Sequence, residues 1–75
     1  MEFENNGMGK CILLKEDKYD HSLIYSITGK QFIVASDLDK KTGSWLHGHY
    51  FGKDLDSALD FFNELSNEHD NDMER

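Results

Sequence analysis

The sequence predicts an α+β fold: an antiparallel sheet of about four strands in meander order with one C-terminal amphipathic helix packed on one face, β-β-β-β-α. Three observations lead there. Four short segments between Lys10 and Phe51 are rich in β-branched, aromatic and other large apolar residues. The turns between them are short, and short turns join antiparallel strands because parallel neighbours need a long crossover. One run of apolar residues at helical spacing then follows, at Leu55, Ala58, Leu59, Phe62 and Leu65. A chain of 75 residues is expected to form a single domain, 1–75, with residues 1–9 and 67–75 as loose termini.

Met1 to Gly9 is polar and carries two glycines, hence its reading as a loose terminus. Lys10 to Lys15 (KCILLK) is an apolar run with charged flanks and reads as the first strand. Glu16 to Asp20 is a polar turn. Leu23 to Thr28 (LIYSIT) alternates Leu23, Tyr25 and Ile27 with Ile24, Ser26 and Thr28, and a turn centred on Thr28-Gly29-Lys30 follows. Gln31 to Ser36 (QFIVAS) is apolar on both faces, as a central strand would be. Asp37 to Gly43 reads as a hairpin loop, with aspartates to accept backbone hydrogen bonds and Gly43 to take positive φ. Ser44 to Phe51 (SWLHGHYF) alternates Trp45, His47, His49 and Phe51 with Leu46, Gly48 and Tyr50. Gly48 there marks a bulge or a close approach by a neighbour. Asp54 fits the N-cap of a helix over Leu55 to Ser66, with Leu55, Leu59 and Phe62 against the sheet and Phe61 widening the stripe.

The formal net charge is −7 and its placement is lopsided. Met1 to Lys53 balances to zero, whereas Asp54 to Arg75 holds nearly every uncompensated acid. Such a balance disfavours holding nucleic acid or anionic lipid by simple attraction. There is one cysteine, so no internal disulfide forms, as in a reducing compartment. The amino terminus lacks a basic start, and Cys11 to Leu14 is too short for a signal peptide or a membrane span. The expected location is the cytoplasm.

Both faces of the sheet carry large apolar residues, yet one helix covers only one. Leu23, Tyr25, Phe32, Val34, Trp45 and Phe51 make one candidate face, and Ile24, Ile33, Leu46 and Tyr50 the other. An apolar patch left over is expected to join a second copy or a partner protein, unless the termini or a curled sheet cover it.

No motif carries catalytic or cofactor chemistry. His47 and His49 form an H-x-H pair on one strand face, but two histidines do not make a metal site, and they read as members of the aromatic surface. Cys11 opens an apolar run, where a cysteine serves as a small hydrophobe. Asp37-Leu38-Asp39 fails as a calcium loop, because Gly48 stands where the bidentate glutamate belongs. Gly7-Met8-Gly9-Lys10 is too short for a phosphate loop.

What remains points to binding. Asp56, Asp60 and Glu64 recur every four residues and form a negative ridge on the helix, suited to a basic protein surface or, in the bland reading, to solubility. Trp45, Tyr50 and Phe51 offer apolar contact area. The same aromatics also suit single-stranded nucleic acid by base stacking, a reading that wants lysines such as Lys15, Lys30 and Lys41 gathered beside them.

The run FIVAS-x-LD, GSW-x-x-GHYF and L-x-x-ALDFF, within residues 32–62, resembles small uncharacterised proteins of Gram-positive bacteria and their phages or conjugative elements. That resemblance implies an accessory role, such as modulating a host protein, and carries over no site residue. The sequence thus predicts a small non-enzymatic interaction domain that has no cofactor and binds a basic partner or a second copy of itself.

Overall fold

The computed structural model describes the backbone of residues 1–73 and the side chains of residues 1–67. Five strands form one antiparallel sheet in sequence order: β1 (Glu2–Asn5), β2 (Gly9–Glu16), β3 (His21–Ser26), β4 (Gln31–Ser36) and β5 (His47–Gly52). One helix follows, α1 (Leu55–Met73), packed over β3, β4 and β5. The chain is thus an α+β fold with a meander sheet and a single C-terminal helix on one face.

The extra strand corrects the reading of residues 1–9 as loose. In β1, Phe3 points inward between exposed Glu2 and Glu4, and it pairs with Cys11 of β2. A four-residue strand with one large apolar side chain has too little pattern to read from sequence. Tertiary pairing makes it. Asn5 closes the β1–β2 turn by accepting the N–H groups of Gly7 and Met8 on Oδ1.

β3 is the middle strand, and all but Tyr25 of its residues are buried. The β3–β4 turn takes positive φ at Lys30, not at Gly29. The β2–β3 pairing carries a bulge between Leu13 and Lys15. It throws Leu14 outward and sets Lys15 opposite Leu23, where its ammonium lies 5.5 Å from the Phe62 ring centroid.

The two faces of the sheet have different covers. On one, Leu23 and Val34 meet Ala58 and Phe62 of α1, with Phe32, Phe51, Leu59, Phe61 and Leu65 around them. On the other, Cys11, Ile24, Ile33 and Ala35 are buried beneath Phe3, Met8, Leu13, Leu38 and Trp45. No second helix is needed there, because the segment from Asp37 to Leu46 folds across that face. Its midpoint reaches β1, where Asn5 Nδ2 donates to the Gly43 carbonyl at 2.7 Å. Gly43 has φ 78°, and a Cβ there would land on the Glu4 carbonyl oxygen, so only glycine fits.

This crossing loop changes the boundaries expected for residues 37–51. The predicted strand from Ser44 shortens to one beginning at His47, and Trp45 belongs to the loop. The indole seals the face away from the helix, so Trp45 does not share a face with Phe51 as alternation implied. The large apolar patch expected on that face is therefore mostly covered. Asp39 holds the loop by accepting Lys41 N–H at 2.9 Å.

Asp54 caps α1: its carboxylate accepts Ser57 N–H at 3.0 Å and Ser57 Oγ–H at 2.7 Å. The helix continues past the predicted end at Ser66 to Met73, since nothing in that stretch is a glycine or proline. Glu74 and Arg75, part of the expected loose tail, lie outside the described residues. No helix among the described residues is long and apolar enough to cross a membrane.

Candidate functional site

Asp56, Asp60 and Glu64 are all exposed on the outer side of α1, while Ala58 and Phe62 are buried beneath it. The four-residue period stacks the three carboxylates one turn apart. No lysine, arginine or histidine lies within ion-pair distance of them among the described residues. No described cation therefore compensates the ridge.

The aromatic strand residues divide between the two faces. Trp45 lies over Gly48, where a Cβ would come within 2.7 Å of the indole nitrogen. The close approach read from Gly48 is thus present, and the neighbour is Trp45, whose Nε1–H donates a long bond of 3.4 Å to Tyr50 Oη. Tyr50 is 55% exposed and Leu46 75%. His49 and Phe51 turn the other way and pack on Phe61 at centroid distances of 4.6 and 5.6 Å. Strand alternation places His47 on the side of His49, and its side chain is exposed. The acidic ridge and the Trp45–Tyr50 pair consequently sit on opposite sides of the sheet. A flat partner touches one or the other.

Two features escaped sequence reading. The first is a polar clamp under α1. Asp17 Oδ2 accepts Ser66 Oγ–H at 2.6 Å and His21 Nδ1–H at 2.8 Å, while Oδ1 accepts the N–H groups of Tyr19 and His21 at 2.9 Å. Burial pushes the Asp17 carboxyl up. The bonds from Ser66, from the His21 backbone and ring and from Tyr19 more than offset it and hold it down to about 2. So weak a base does not activate Ser66, and the serine meets the carboxylate and not an imidazole. The trio ties the β2–β3 turn to the helix and is no Ser-His-Asp relay. Its only sequence signal was the D-x-x-x-H spacing across a turn.

The second is an open groove of about 610 Å³ on the helix side of the sheet, lined by Leu14, Tyr25, Lys30, Phe32, Lys53 and Leu55. It could not be read beforehand, because the bulge at Leu14 and the turn at Lys53 create it.

Cys11 is fully buried. Burial pushes its thiol up, a hydrogen bond from Ser26 opposing this, which is the reverse of an activated nucleophile. Among the described residues no group of three or more His, Cys, Asp or Glu is placed to hold a metal ion. No family model, curated protein or solved structure matches this chain.

Proposed function

We propose that this chain is a small non-enzymatic interaction domain whose acidic helix face docks on a basic surface of a partner protein. One observation carries the reading: Asp56, Asp60 and Glu64 are all exposed, aligned and without a cation partner among the described residues. Like charges at that spacing repel by a few tenths of a kcal/mol per pair. An opposing basic surface relieves the repulsion and speeds encounter.

The test is affinity capture from nuclease-treated host lysate, with the D56K/D60K/E64K variant run beside the native chain. A stoichiometric basic partner lost with the variant supports the proposal. A partner held equally by both, or none at all, removes it.

A second surface favours self-association. β5 is an edge strand, with exposed Leu46 just before it and exposed Tyr50 within it. Unpaired edges template pairing with another chain. Light scattering across a concentration series reads this directly, and a constant monomer mass eliminates it.

A further inference from the structure

The helix begins at Leu55 and leaves one end of its sheet face open. There Tyr25 of β3 and Phe32 of β4 are directly paired across the strands, their rings 4.8 Å apart and tilted by 47°. Leu14, pushed out by the β2 bulge, stands on one side at 47% exposure. Leu55, at the head of α1, is also exposed, at 42%. Lys30 and Lys53 complete the lining of the groove. Keeping two leucines in water beside two aromatic rings costs hydrophobic free energy.

The two lysines give the groove a positive charge. Lys10 and Lys40 are paired with Glu2 and Glu16, and Lys15 lies over Phe62. Lys30 and Lys53 have no carboxylate partner among the described residues, although acids outnumber bases by 15 to 8. Lys30 is also held at φ 55°, where a non-glycine residue is uncommon.

We propose that this groove docks an acidic segment of a partner protein, with one aliphatic or aromatic side chain seated over Tyr25 and Phe32 and flanking carboxylates meeting Lys30 and Lys53. Three observations choose this occupant. The charge is complementary and small, two cations suiting two carboxylates and not a run of phosphates. The tilted rings with leucine walls make a trough for a side chain, whereas stacked bases want a flat platform. The groove is open, so it would not enclose a small molecule as closed ligand sites do. A peptide crossing it makes further contacts at both ends. The groove does not include the acidic ridge, and the two sites prefer opposite charge.

The experiment selects random dodecapeptides displayed on phage against the full chain, then measures the recovered peptides by fluorescence anisotropy. Native chain, K30E/K53E and D56K/D60K/E64K are compared, with a ten-residue thymidine oligonucleotide as a second probe. The expected peptides combine Asp or Glu with one or two large apolar residues. They bind K30E/K53E about tenfold or more weakly, weaken with salt, and keep their affinity for the helix-ridge variant. Both lysines are exposed, so the substitutions leave the core intact, and an unchanged circular dichroism spectrum verifies it. No enrichment, recovered sequences without acids, or equal binding to K30E/K53E overturns the proposal. So does an oligonucleotide that binds through Lys30 and Lys53 while no peptide competes.

Discussion

Asp17 shows how much one side chain organises here. It lies in a polar turn, yet it accepts four hydrogen bonds and joins two parts of the fold far apart in sequence. Its carboxyl falls from an ordinary 3.8 to about 2 in the folded chain. A depressed acid contributes stability above its unfolded pKa, and that contribution disappears as pH falls through the folded value. The contribution is about 2 kcal/mol at neutral pH and declines between roughly pH 5 and pH 1. Asp17→Asn should therefore lower neutral-pH stability by about that amount and flatten the acid limb of a urea-midpoint series against pH; an unchanged limb would place the acid sensitivity elsewhere. Gly48 makes the complementary point by what it lacks. An added methyl would press on Trp45 Nε1 at 2.7 Å and Tyr50 Oη at 3.0 Å. Gly48→Ala should cost about 1–3 kcal/mol and shift the emission of the single tryptophan as the indole lifts; unaltered emission would mean the ring is not seated there.

At the scale of elements, the least legible piece does the most unexpected work. β1 pairs only with β2, yet together with the Asp37–Leu46 loop it closes the face that the helix leaves open. Removing residues 1–5 should strip Phe3 from Cys11 and unpin Gly43. The checkable outcome is a Cys11 thiol that reacts with a maleimide under native conditions, whereas the intact chain resists until unfolded. The helix was legible because its apolar spacing is strict and Asp54 caps it. A hydrogen bond from the Ser57 hydroxyl, then one from its backbone, keeps Asp54 below the usual carboxylate range. Phe62→Ala should cost about 3–5 kcal/mol, as expected for a large ring buried between helix and sheet, and a chain of this size should be largely unfolded by it in thermal denaturation. The end of α1 was not legible. The apolar stripe stops at Leu65, but a polar stretch without a breaker continues the hydrogen-bond ladder to Met73.

For the whole molecule, charge is the property the sequence states most plainly. A net −7 on 75 residues works against compaction through self-repulsion. Added sodium chloride should raise the melting temperature at neutral pH as the repulsion among α1 carboxylates is screened, and a fall would mean that the surface ion pairs at Lys10 and Lys40 outweigh it. The same charge is distributed unevenly in space. The outer face of α1 is acidic, whereas the nearby groove presents two lysines with no carboxylate partner among the described residues.

By itself the sequence determined the α+β class, the meander order, the capped helix and the acidic ridge. Each is written locally, in the alternation of a strand, the spacing of a helix or the residue at a cap. Only the tertiary structure decided which face of the sheet the helix takes, that a loop seals the other, and that Trp45 and Phe51 point apart. It also placed Lys30 and Lys53 beside Tyr25 and Phe32, and Asp17 beside Ser66. Those outcomes depend on register, on a bulge at Leu14 and on a loop that reaches from β4 across to β1. Such features are set by contacts between residues distant in sequence, where no local pattern records the partner.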